Sequence, residues 1–232
     1  LLQPELNAAF PFMFVRRTLL WILLVSIGSS TTRAVILFGS GDPSANTTPP
    51  SGTLRNSGWV SQTDTAPSAN AISPHHLLTA KHIGFRVGEE VRFDGLVYRI
   101  QRILNAPEGD LQMLEVAGRM DSNRLAAIYT ESDEAGRGAV IHGHGRSRGE
   151  PVYRDGPAGP VLRGWTWGTT GSRLRWGTNT IIGAITYPGY GSYLTATFSG
   201  NAGADEAGVS TGDSGGGIFL RAADGRWKLA GL

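Results

Sequence analysis

The sequence predicts an all-β fold of antiparallel sheets, and three of its features carry that expectation. Glycine, at 33 of 232 residues, is about twice its usual share of roughly 7%, which suits tight turns between short strands. Short apolar runs with β-type alternation recur along the chain, each bounded by turn formers. Between them no helical pattern of about ten residues intervenes, so a βαβ sheet is disfavoured and antiparallel sheets or barrels are expected.

In chain order, residues 1–12 lack an initiating methionine and read as upstream, non-native translation. From Met13 the text "MFVRRTLLWILLVSIGSSTTRA" has two arginines, an apolar run from Leu19 to Ile27, and a small, polar close at Ala34. That is the layout of a secretory signal peptide over 13–34, cleaved before Val35. Its apolar run falls far short of the roughly 20 residues that span a bilayer, so no stable membrane anchor is expected. A secreted or periplasmic location follows.

Residues 35–57 form an N-terminal segment and connector, with turn formers and no apolar period from Gly39 to Ser57. Strands are then expected at "AISPHHLLTA" (71–80), "EEVRFDG" (89–95), "LVYRIQRIL" (96–104) and "DLQMLEVAG" (110–118). A second group reads "AVIHGHG" (139–145), "TNTIIGAITY" (178–187), "SYLTATFS" (192–199), "GGIFL" (216–220) and "RWKLAGL" (226–232). The gap near 120–138 divides two β-domains, 58–125 and 126–232. No internal repeat is evident.

Composition narrows the function classes. Lys plus Arg number 21 and Asp plus Glu 19; without Arg16, Arg17 and Arg33 of the leader and Glu5 ahead of it, 18 of each remain. That balance leaves no basic footprint for nucleic acid. The absence of cysteine excludes disulfides and cysteine-based zinc sites. No cofactor is expected, and a monomer is the simplest state.

The chemistry-bearing stretch is "TGDSGGG", Thr211 to Gly217. A serine that attacks a carbonyl needs an exposed side chain, close approach of substrate to backbone, and N–H groups aimed at the developing oxyanion; glycine permits all three. Upstream, "LLTAKHIG" presents His82 where a strand gives way to a turn. "EGDLQMLEV" opens a strand with Asp110. Asp94, in the turn of "RFDGL", and Asp121, in a polar stretch, are weaker acids for the role.

In the order His, Asp, Ser these motifs resemble the chymotrypsin/trypsin-like serine peptidases, whose signatures are Thr-Ala-x-His, an Asp opening a strand, and Gly-Asp-Ser-Gly-Gly. The likeness covers most of residues 58–232. Lys81 stands where the family usually has a small residue, Ile83 replaces the customary cysteine, and Gly217 replaces a frequent proline. The resemblance implies two antiparallel Greek-key β-barrels with the active site in the cleft between them. It also implies a His82–Asp110–Ser214 triad acting on a protein or peptide substrate. The oxyanion hole would be the N–H groups of Gly212 and Ser214, and Asp213 would pair with a new α-amine, here that of Val35. Gly208, six residues before the nucleophile, would lie at the specificity-pocket floor. Asp205 and Glu206 are displaced from that position, which gives no support for a Lys or Arg preference. Because family members continue past the strand matching "RWKLAGL", the second barrel is expected to be incomplete here.

Two other classes compete. "GDSGG" also satisfies the G-x-S-x-G elbow of α/β-hydrolase esterases, but that fold wants its acid and histidine after the serine, and no histidine follows Ser214. A non-catalytic peptidase-like binding module would usually have lost a triad member. His75 and His76 read as loop histidines, His142 and His144 of "HGHG" as barrel surface, and Trp165, Trp167 and Trp176 as core or barrel-rim packing.

Overall fold

The computed structural model describes residues 35–171, 173–200 and 203–232. The leader read at 13–34, and residues 1–12, lie outside the described residues. Among these, strands make up 48% and helix 6%, the latter only single 3-10 turns. The protein is all-β, with antiparallel sheets curled into half-barrels.

The N-terminal segment contributes β1 (Ile36–Leu37). The first sheet then uses β2 (Asn70–Ser73), β3 (His76–Ala80), β4 (Glu90–Phe93), β5 (Leu96–Asn105) and β6 (Leu111–Val116). Their spatial order is β2-β3-β6-β5-β4. The run expected as one strand at 71–80 is two, because Pro74 and His75 turn the chain into a β2–β3 hairpin. Asp94 and Gly95, both at positive φ (52° and 73°), close the β4–β5 hairpin. Asp-Gly is the pair that such a turn favours. Alternation then faces Val91 and Phe93 inward, where they pack with Leu77, Ile100, Leu114 and Met120.

The second half supplies β7 (Gly138–Gly143), β8 (Arg146–Gly156), β9 (Gly159–Gly171) and β10 (Arg175–Tyr187). It continues with β11 (Gly191–Ala196), β12 (Ala207–Gly208), β13 (Ile218–Arg221) and β14 (Trp227–Gly231). Five of these form a sheet in the order β11-β10-β7-β13-β14, while β8 and β9 form a separate two-stranded sheet. β1 pairs with β12, Ile36 opposite Gly208, so the N-terminal segment is built into the second half. The two halves meet at an apolar seam in which Phe219 and Leu229 pack against Ile72 and Leu78.

One expectation is corrected. His142 and His144 are not barrel surface: both are 1% exposed, because "HGHG" faces inward at the end of β7. The tryptophans, expected as core or barrel-rim packing, lie in separate places. Trp165 meets Phe38 and Phe198 edge-on, Trp167 is exposed, and Trp176 donates from Nε1 to the Thr48 carbonyl at 2.8 Å.

Candidate active site

The β3–β6 ladder ends with Ala80 opposite Leu111. Residues just beyond that pair must therefore converge. Lys81 N–H donates to the Asp110 carbonyl at 2.9 Å, and the chain then makes a 3-10 turn over Lys81–Ile83, stopped by Gly84 in the left-handed region. That turn aims the His82 ring back at Asp110. His82 N–H donates to Asp110 Oδ1 at 2.8 Å, and His82 Nδ1 donates to Asp110 Oδ2. The short sequence spacing between histidine and acid is thus met by two adjacent strands without a long loop. The rival acids are engaged elsewhere: Asp94 pairs with Arg124 at 2.8 Å, and Asp121 accepts from Asn123 N–H.

Ser214 arrives from the second half on a turn tied by Asp213 N–H to the Ser210 carbonyl (3.0 Å) and Gly216 N–H to the Asp213 carbonyl (2.8 Å). Its Oγ lies 2.7 Å from His82 Nε2. With Nδ1 donating to the carboxylate, Nε2 is left to accept the serine proton. Gly212 sits at φ +96°. Among the described residues no group accepts from the N–H of Gly212 or of Ser214. The site is open, with the side chains of His82 and Asp110 57% and 37% exposed.

Asp213 faces the opposite way and is buried. Its Oδ1 accepts from Gly145 N–H at 2.7 Å and from Val35 N–H at 3.2 Å. Its Oδ2 accepts from Ser210 N–H at 2.6 Å and the Ser210 hydroxyl at 3.0 Å. Burial pushes this carboxyl up, and these four donors oppose the shift. The chamber is fitted to it: a Cβ at Gly143 would stand 2.1 Å from Asp213 Oδ1. Val35 is itself held by buried Arg175, whose guanidinium donates to the carbonyls of Val35, Asp42 and Pro43.

A cleft of about 630 Å³ runs past His82, Asp110 and Ser214. Its walls include Leu111, Ile128, Tyr190, Tyr193 and Leu194. Gly208 is paired with Ile36, and in its stretch the residues that line the cleft are Val209 and Ser210. Asp205 accepts from Asn46 Nδ2, and Glu206, fully buried, accepts from Ser199 N–H. Among the described residues no group of three or more His, Cys, Asp or Glu could hold a metal ion. No helix there is long and apolar enough to cross a membrane.

Sequence reasoning missed the amides that support this site, Gln62 and Asn70, both buried. Gln62 follows a 3-10 turn outside any strand and Asn70 is the first residue of β2, so no local pattern marked them. Chemically, a hydroxyl within reach of an imidazole that a carboxylate orients is an activated oxygen nucleophile. The chain matches no known family model, and no curated protein sequence matches it.

Proposed function

We propose that this chain is a serine endopeptidase of the chymotrypsin-like kind, exported to the periplasm or beyond, that cleaves protein or peptide substrates through an acyl-enzyme. The single observation that carries the reading is the hydrogen-bonded order Asp110–His82–Ser214 beside two uncommitted backbone N–H groups. Two curled five-stranded sheets with the cleft between them support the Greek-key double barrel. No metal or cofactor enters the scheme, and a monomer suffices for it.

In the proposed reaction Ser214 Oγ attacks the scissile carbonyl carbon as its proton passes to His82 Nε2. The carbonyl π electrons move onto oxygen, where the N–H groups of Gly212 and Ser214 stabilise the oxyanion. Collapse breaks the C–N bond, and the amine leaves with the proton from His82. Water, deprotonated by the same imidazole, then attacks the ester and releases Ser214. Asp110 holds Nδ1–H and thereby fixes the tautomer.

Cleavage before Val35 would turn an N–H already 3.2 Å from Asp213 Oδ1 into an ammonium. A buried carboxylate lacking a cation is costly, so the new charge would neutralise Asp213 and order the turn that presents Gly212 and Ser214. Arg175 and the β1–β12 pairing hold this segment in place. The testing experiment is digestion of casein and of a short-chain ester by the wild type and by Ser214→Ala and His82→Ala. Casein cleavage lost in both variants supports the reading; near-normal cleavage by Ser214→Ala overturns it. Hydrolysis of the ester alone assigns the site to an esterase instead.

A further inference from the structure

The nucleophile turn is gripped from the first half of the molecule by two buried side-chain amides. Gly217 N–H donates to Gln62 Oε1 at 3.3 Å. Gln62 Nε2 donates to Asn70 Oδ1, and Asn70 Nδ2 donates to the Gly215 carbonyl at 2.8 Å. The polarity of this relay is set at both ends. A backbone N–H can only donate and a carbonyl can only accept, so each amide has one permitted orientation and the link between them falls into place as N–H to oxygen. Gln62 is 3% exposed and Asn70 is 0% exposed, so water does not substitute for either.

Resting on the peptidase reading above, we infer that Gln62 and Asn70 are positioning residues that set the Ser214–His82 distance. Asn70 opens β2 and lies opposite Leu78 of β3, the strand whose end carries His82. The first half touches the turn a second time. Gly215, at φ +78°, lies so close to Ser68, just ahead of β2, and to Thr79 of β3 that a Cβ there would stand 2.1 Å from the Ser68 carbonyl and 2.4 Å from Thr79 Oγ1. Thr79 Oγ1 donates to that Ser68 carbonyl at 2.7 Å. The base and the nucleophile come from different sheets. The amide relay is a polar connection that registers one against the other, grasping the backbone just after Ser214 at both an acceptor and a donor.

The test replaces each amide by an apolar side chain of similar size, Asn70→Leu and Gln62→Met, alone and together, in the full chain. Displacement of the nucleophile by even ~1 Å costs on the order of 10²-fold in rate. Each single variant is therefore expected to lower kcat about 10²-fold with KM little changed, and the double variant to be no worse than the weaker single, since a relay is broken only once. A wild type that turns over peptide, beside folded variants with unchanged kcat, overturns the inference and leaves the peptidase reading standing. A wild type without turnover overturns both. Should the variants fail to fold, amide hydrogen exchange on the wild type decides: protection of Gly217 N–H at the level of the β-sheet core supports the relay, and rapid exchange overturns it.

Discussion

Mild acid is expected to weaken the fold through His142 and His144. His142 Nε2 donates to the Ser57 carbonyl at 2.7 Å and its ring lies edge-on to Phe219. His144 Nδ1 shares a 2.9 Å hydrogen bond with Ser68 Oγ. Burial is the main cause that lowers both, from the ordinary 6.5 to about 4. Between those values the unfolded chain binds protons that the folded chain refuses, so stability falls as the pH drops from 6.5 towards 4. At pH 5 the loss is about 2 kcal/mol for each histidine, about 4 kcal/mol for the pair. Total stabilities are typically about 5–15 kcal/mol, so the effect is large. Asp213 opposes it in part, since its raised carboxyl takes up a proton more readily when folded. Asp224, held at about 2 by the Arg226 N–H and guanidinium, titrates below this window. Urea unfolding at pH 7.5 and pH 5 is the assay. His142→Gln, which retains a donor for Ser57, should remove about half of the pH dependence. Equal stability at the two pH values would refute the neutral, buried state of these rings.

Asp110→Asn should leave the fold intact and reduce peptide turnover by roughly 10⁴, because the amide stabilises the wrong imidazole tautomer; steady-state kinetics check this, and a mild loss would move the role to another acid. Gly215→Ala should cost about 2–4 kcal/mol through its positive φ and its clash with Ser68 and Thr79, measured by thermal unfolding. N-terminal sequencing of exported protein should begin at Val35, beside Asp213; a start well beyond Phe38 would leave Asp213 needing another partner.

Where local pattern and local structure coincide, the sequence was legible. The alternation of "EVRF" and the Asp-Gly turn announced β4 and β5, and "TAKH" with "GDL" marked two residues that the β3–β6 ladder brings together. The β8–β9 hairpin carries no period that a sequence reading can use, because much of it is exposed and lacks clean alternation. β1 escaped notice because two residues paired with a remote strand have no period to read. His142 and His144 looked superficial because a polar residue near a strand end is normally wet. Their burial depends on partners more than 70 positions away, Ser57 at a separation of 85 and Ser68 at 76, and no local window contains such partners. Gln62 and Asn70 were hidden for the same reason.

The most direct test of the central claim is whether Ser214 is an activated nucleophile. An alkyl fluorophosphonate reacts with a serine whose proton a neighbouring base removes and leaves inert serines unmodified. Intact-mass analysis with peptide mapping of the treated protein should find one adduct, on Ser214, absent from His82→Ala and from urea-unfolded wild type. A folded wild type that takes up no adduct at Ser214, or labels equally without His82, would contradict the account.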